Sequence, residues 1–62
     1  MPYVNIRLAG QLSIKQKEEI CTAVTAAIAR ITGKPEESVL IFIDEVKPEN
    51  IASGGQLLHK PA

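Results

Sequence analysis

Sixty-two residues, with seven Lys plus Arg against seven Asp plus Glu, make at most one small domain of zero formal net charge. With only Tyr3 and Phe42 as aromatics and no basic run, the chain lacks a nucleic-acid footprint. It has no apolar run long enough for a membrane-spanning helix and no basic-then-apolar leader, so a soluble, cytoplasmic protein with no membrane partner is expected.

One cysteine, Cys21, cannot form an internal disulfide, and Cys21 with His59 is too few ligands for a structural zinc. A chain of this size folded alone would expose about 3,900 Å² of the about 9,700 Å² of its unfolded form. Burial on that scale roughly cancels the entropy lost in ordering the chain. Oligomerisation is the remaining source of stability.

In Pro2 to Leu8, Val4, Ile6 and Leu8 alternate with Tyr3, Asn5 and Arg7, the period of a strand with one apolar face. Pro2 suits the first position, where no ladder N–H is required. Gly10-Gln11 breaks the strand. Ser13 with Gln16 three residues on is a capping-box start and predicts a helix from about Ile14 to Thr32. On that helix Ile20, Cys21, Val24, Ala27, Ile28 and Ile31 form one apolar stripe, while Lys15, Lys17, Glu18, Glu19 and Arg30 lie mostly off it. Gly33 stands where a left-handed cap is wanted, and Lys34-Pro35 prevents continuation.

Val39-Leu40-Ile41-Phe42-Ile43 is a continuous apolar run followed by Asp44-Glu45-Val46, and reads as a strand buried on both faces. One helix covers only one face. Strand, helix and strand in this order make a right-handed crossover with two parallel strands in one sheet, so the uncovered face is expected to meet another subunit. Lys47-Pro48-Glu49-Asn50 reads as a turn with a short 3₁₀ piece. Ile51 to Leu58 reads as a glycine-kinked loop or a short hairpin, the Gly54-Gly55 pair suggesting positive φ or close backbone approach. His59 to Ala62 looks like a frayed tail. The expected class is α+β, one domain over residues 1–62, a short β-α-β protomer.

A Pro directly after the initiator Met, an apolar strand, a capped helix, a second strand reading SVLIFIDEV and a terminal N-I-A-S-G-G-Q-L form an ordered set. From Pro2 to Leu57 that set resembles the 4-oxalocrotonate tautomerase (2-hydroxymuconate tautomerase) family. The resemblance implies a tautomerase fold: the β-α-β protomer closed by a C-terminal hairpin and assembled as a homohexamer, a trimer of dimers. It implies isomerase chemistry, 1,3-proton transfer in small enol or dienol acids, with the amino-terminal proline as base and no cofactor or metal. Members that process dicarboxylates carry two arginines where this chain has Leu12, in the Gln11-Leu12 pair, and Leu40. An aromatic before the glycine pair is replaced by Ile51. These departures point away from 4-oxalocrotonate itself and toward a divergent, DmpI-like branch.

Pro2 is the candidate base. Loss of Met1 would leave a secondary amine, whereas a retained Met1 would make the nitrogen an amide with no basicity. The reference α-amino pKa, about 7.7 to 8.0, falls in an apolar pocket, leaving part of the amine neutral near physiological pH, where a base is most useful.

The substrate's acidic end needs a cation or backbone donors. Arg7, on the face opposite Val4, Ile6 and Leu8, is one candidate, and the N–H groups of Leu8 and Ala9 at the strand end are others. Leu40 and Ile51 are candidates for the apolar wall beside Pro2, and Phe42 reads as core or interface packing. Lys34, Lys47 and Lys60 read as surface charges, His59 as solvated, and Cys21 as a buried inert thiol. Asp44 and Glu45 are adjacent on a strand and so point to opposite faces. They read as strand-end solubilising charges or as salt-bridge partners between subunits. Gly54-Gly55 lacks the strand-to-helix context of a phosphate cradle. The competing reading is a non-catalytic oligomeric module that keeps the fold, or one subunit of a hetero-oligomer whose sister chain supplies the missing arginines.

Overall fold

The computed structural model describes residues 1–59. Strand β1, Tyr3–Ala9, leads into helix α1, Ile14–Thr32, and then strand β2, Leu40–Val46. The strands pair in parallel, from Tyr3 opposite Leu40 to Ala9 opposite Val46. At the two ends of this ladder Leu40 N–H donates to the Pro2 carbonyl and Gly10 N–H to the Val46 carbonyl, both at 2.9 Å. Backbone groups alternate sides along a strand. Even-numbered residues of β1 therefore turn their N–H and C=O groups toward β2, and odd-numbered ones toward the free edge.

The helix begins and ends where its caps dictate. Ser13 Oγ accepts from Gln16 N–H at 3.1 Å, and Gln16 Oε1 accepts from Ser13 N–H at 2.9 Å, so two otherwise unpaired helix-start donors are satisfied reciprocally. Gly33 closes the helix at φ 74°, donating its N–H to the Ala29 carbonyl at 2.9 Å. Replacing Ser13 with Ala is expected to cost about 1 kcal/mol of stability, read as a lower urea midpoint of the assembled protein. An unchanged midpoint would contradict the cap's role.

Half-buried Val4, Ile6 and Leu8 of β1 and Ile41, Ile43 and Glu45 of β2 line one face of the sheet. Ile20, Cys21, Val24, Ala27 and Ile28 supply the matching half-buried face of the helix. Ile31 departs from the expected stripe at 71% exposed, and Ile14 at the other end of the helix is 68% exposed. The reason is length: nineteen helical residues span about 28 Å, whereas seven-residue strands span about 23 Å. The helix ends overhang the sheet.

The other face of the sheet is open. Tyr3, Asn5, Arg7, Leu40, Phe42 and Asp44 are exposed there, and the Tyr3 and Phe42 rings meet edge to face with centroids 6.3 Å apart. Thus β2, expected to be buried on both faces, is covered on one face within the protomer. It also starts at Leu40 rather than Val39 and runs through Asp44 and Glu45 to Val46. Val39 follows the 3₁₀ turn Glu36–Ser38 and is the one buried side chain among the described residues.

The accessible surface is 4976 Å², well above the roughly 3,900 Å² of a compact monomer of this size. The radius of gyration, 15.1 Å, exceeds the roughly 11 Å expected for such a chain. The protomer is a slab of 46 × 25 × 13 Å, a sheet with a helix on one side. A core this thin agrees with a chain that needs neighbours.

After β2, a second 3₁₀ turn at Pro48–Asn50 leads to strands β3, Ala52–Ser53, and β4, Gln56–Leu57, paired antiparallel. Gly54 and Gly55 form the two-residue connection at φ 61° and 83°, a pair of positive values that side chains resist. Of the loop and hairpin readings, the hairpin is observed, and Leu58 N–H extends it to the Ile51 carbonyl at 2.8 Å. Of the tail, His59 is exposed, and Lys60 to Ala62 lie outside the described residues. No helix among the described residues is long and apolar enough to cross a membrane.

Candidate functional site

The candidate residues fall into two groups at opposite ends of the sheet. Pro2 and Leu40 form one, joined by the 2.9 Å bond from Leu40 N–H to the Pro2 carbonyl. Pro2 is half-buried, and the exposed Tyr3 and Phe42 rings lie beside this end. The bond uses the Pro2 carbonyl and leaves its nitrogen out of the ladder.

At the far end a cleft of 520 Å³ is lined by Arg7, Leu8 and Ala9 of β1, Val46 of β2, and Ile51 and Leu58 around the hairpin. The structure thus brings Arg7, Leu8, Ala9 and Ile51 together but keeps them from Pro2. Pro2 and Arg7 are five residue steps apart, about 17 Å at the usual rise, too far for one small acid to touch both within a protomer.

The two backbone candidates also differ. Leu8 is even-numbered, so its N–H faces β2. Ala9 is odd-numbered, so its N–H faces the free edge of the strand and is open to a ligand or a neighbouring chain.

Arg7 lies on the open face, as its alternation with Ile6 and Leu8 requires. Its Nε is 3.2 Å from Asp44 Oδ2, because the parallel register sets Arg7 directly opposite Asp44. Both side chains are exposed, at 72% and 52%, so the pair contributes little to stability. Its effect is on where the guanidinium points.

Glu45 points the other way, under the helix. Lys17 Nζ is 2.7 Å from Glu45 Oε1, and Leu12 N–H donates to Glu45 Oε2 at 2.8 Å. Glu45 is therefore a clamp that ties the β1–α1 loop to β2 within one protomer, and not a strand-end solubilising charge or a subunit contact. Lys17, placed mostly off the apolar stripe by its charge, turns inward to meet it. Asp44, likewise, finds its partner in its own chain.

The Lys17 ammonium, and after it the Leu12 N–H, hold the Glu45 carboxyl below the usual glutamate range, against the opposing pull of desolvation. A folded pKa below the unfolded value means that this stabilisation is fully present above the ordinary glutamate pKa, about 4.3. It is lost as pH falls through the folded value. Glu45→Gln is expected to be less stable than the wild type at pH 7, with the gap closing on acidification toward pH 3. Urea midpoints of both proteins across that range check this, and a gap independent of pH would contradict it.

Cys21, expected to be buried, is half-buried on the helix face of the protomer, whereas Lys34 and Lys47 are exposed, as expected of surface charges. The roles of Asp44 and Glu45 escape sequence reasoning because both partnerships depend on pairing across the crossover. Their only sequence signal is two acids ending an apolar strand.

The family model described as "Tautomerase enzyme" matches residues 2–60. A probable tautomerase of Bacillus cereus is 38% identical over 58 residues, covering 94% of this chain and 95% of that protein. Among solved structures, a heterohexamer 4-oxalocrotonate tautomerase from Chloroflexus aurantiacus is 31% identical, with TM-score 0.83 and 94% of each chain covered. DmpI from Helicobacter pylori superposes at TM-score 0.82 with 28% identity, over 94% of this chain and 91% of that one. With a family model matched from residue 2 to residue 60, a 38% identical relative covered almost end to end and a fold shared with solved 4-oxalocrotonate tautomerases, the chain belongs to the 4-oxalocrotonate tautomerase family.

Proposed function

We propose that the protein is a cofactor-free, metal-free cytoplasmic tautomerase that moves a proton in small enol or dienol acids, with Pro2 as general base once Met1 has been removed. The observation that carries this reading is the placement of Pro2. Its carbonyl is fixed by Leu40 N–H at 2.9 Å, so the nitrogen of this half-buried residue sits at the end of the sheet, outside the ladder. An amine so placed takes a proton from the enol hydroxyl or from carbon and returns it elsewhere on the conjugated system.

The site is then composite. Because Arg7 and Ala9 stand about 17 Å or more from Pro2 along the strand, and Ile51 lines the same cleft as they do, the Pro2 end of one protomer meets the cleft of another. In this arrangement Pro2 supplies the base, Arg7 and the free-edge N–H of Ala9 hold the acid and its oxygen, and Leu40 and Ile51 form apolar wall. Leu8 also lines the cleft, its N–H being turned toward β2. The open sheet face and the thin core support a homo-oligomer, a hexamer built as a trimer of dimers in this reading.

The test is ketonisation of phenylenolpyruvate by protein whose intact mass shows complete loss of Met1. A rate well above the buffer reaction is expected, and a rate equal to the buffer reaction would defeat the proposal. A second reading, a subunit of a hetero-oligomer, is favoured by Leu12 and Leu40 standing where the family's dicarboxylate enzymes carry arginines, and by the likeness to a heterohexameric relative. Native mass spectrometry of endogenous material separates the two: one protomer mass for the homo-oligomer, two for the hetero-oligomer.

A further inference from the structure

Among the described residues that line the cleft at the C-terminal ends of β1 and β2, a single one is charged, Arg7. Asn50 adds a neutral amide. The guanidinium is not a free cation, because Asp44 lies directly opposite on β2 and its Oδ2 is 3.2 Å from Arg7 Nε. A guanidinium carries five N–H donors, of which Nε supplies one. The contact is made through Nε, and the terminal nitrogens of a guanidinium form a planar fork that matches the two oxygens of one carboxylate.

We infer that Asp44 is a positioning and specificity-determining residue: it orients Arg7 to grip one carboxylate while cancelling the cleft's net charge, so that the cleft selects monocarboxylate over dicarboxylate acids. The inference rests on the reading of this cleft as the acid-binding end of the tautomerase site.

The physical argument separates geometry from charge. A first carboxylate binds through directed N–H donors, which remain strong beside a neutralising partner. A second carboxylate, elsewhere in a cleft lined by Leu8, Val46, Ile51 and Leu58, finds no net positive field and loses hydration, so the dianion is penalised. Were Asp44 absent, the uncompensated Arg7 would attract both carboxylates, the second from several ångströms away, and a unit charge at that range changes binding by about three- to tenfold. Leu12 and Leu40 supply no cation to offset this.

The test is a binding titration with two unreactive acids of the same six-carbon skeleton, hexa-2,4-dienoate with one carboxylate and muconate with two. Titrating the assembled protein at pH 7 makes the result independent of turnover. A protein that binds as expected but has no tautomerase activity leaves the inference standing and removes the catalytic reading. The wild type is expected to bind the monoanion about tenfold tighter than the dianion.

Asp44→Asn should shrink that preference about three- to tenfold, mainly by tightening muconate, and should move the Arg7 Nε–Hε resonance. Asp44→Glu, which restores the pair, should return the preference toward that of the wild type, and Arg7→Gln should weaken both acids by about tenfold or more. A wild type that binds muconate as well as hexadienoate would overturn the inference. So would an unchanged ratio in Asp44→Asn, or undiminished binding in Arg7→Gln. Should Asp44→Asn fail to assemble, the wild-type ratio and Arg7→Gln still decide.

Discussion

Pro2→Ala is expected to lower kcat/KM for enol ketonisation about 10²-fold, within the range a positioned general base contributes. That is about 2.7 kcal/mol of transition-state stabilisation. The variant keeps an amine of comparable basicity, so the loss is one of placement. The pyrrolidine ring fixes φ near −65° and gives the nitrogen no rotatable bond, whereas the primary amine of alanine is freer to turn its lone pair away. The bond that anchors the strand end uses the Pro2 carbonyl and Leu40 N–H, and alanine retains that carbonyl. The assembly mass should therefore be unchanged while the rate falls, which separates a catalytic role from a folding one. An unchanged kcat/KM would contradict the assignment.

Phe42→Asp is expected to abolish the assembly. Phe42 is 56% exposed in the single protomer, its ring edge to face with that of Tyr3, and a substitution there would be mild if the chain worked alone. In the proposed oligomer the open face is covered. Each copy would then lose about 2 kcal/mol of apolar burial and would incur several kcal/mol more for desolvating a carboxylate. A protomer with Val39 as its one buried side chain among the described residues has no core to fall back on, so dissociation and unfolding should coincide. Native mass spectrometry together with far-ultraviolet circular dichroism reads both. A variant with the wild-type mass and helicity would show that this face is not an interface.

What was legible in the sequence was what local chemistry controls. Ser13 with Gln16, and Gly33 before Pro35, fixed the helix ends to the residue. The alternation of Val4, Ile6 and Leu8 assigned the faces of β1, and Gly54-Gly55 had the positive φ values expected of such a pair. Three features required coordinates. Ile31 keeps helical spacing yet lies beyond the sheet, because the helix is longer than the strands it covers, which no periodicity reveals. Glu45 reaches Leu12 N–H across 33 positions in sequence, and Arg7 meets Asp44 only because the parallel register aligns them. The division of the candidate site into a Pro2 end and an Arg7 end follows from strand length, once residues on one strand are seen to lie at its two ends. That division makes an assembled site a matter of geometry as well as of stability.

The central claim, that the Pro2 nitrogen is the base, is tested most directly by comparing two preparations of the unaltered sequence, one lacking Met1 and one retaining it, each verified by intact mass. Retention of Met1 converts the amine to an amide and changes no side chain of the site. The protein lacking Met1 is expected to ketonise phenylenolpyruvate at least about 10²-fold faster than the protein that keeps it. Equal rates for the two would contradict the claim.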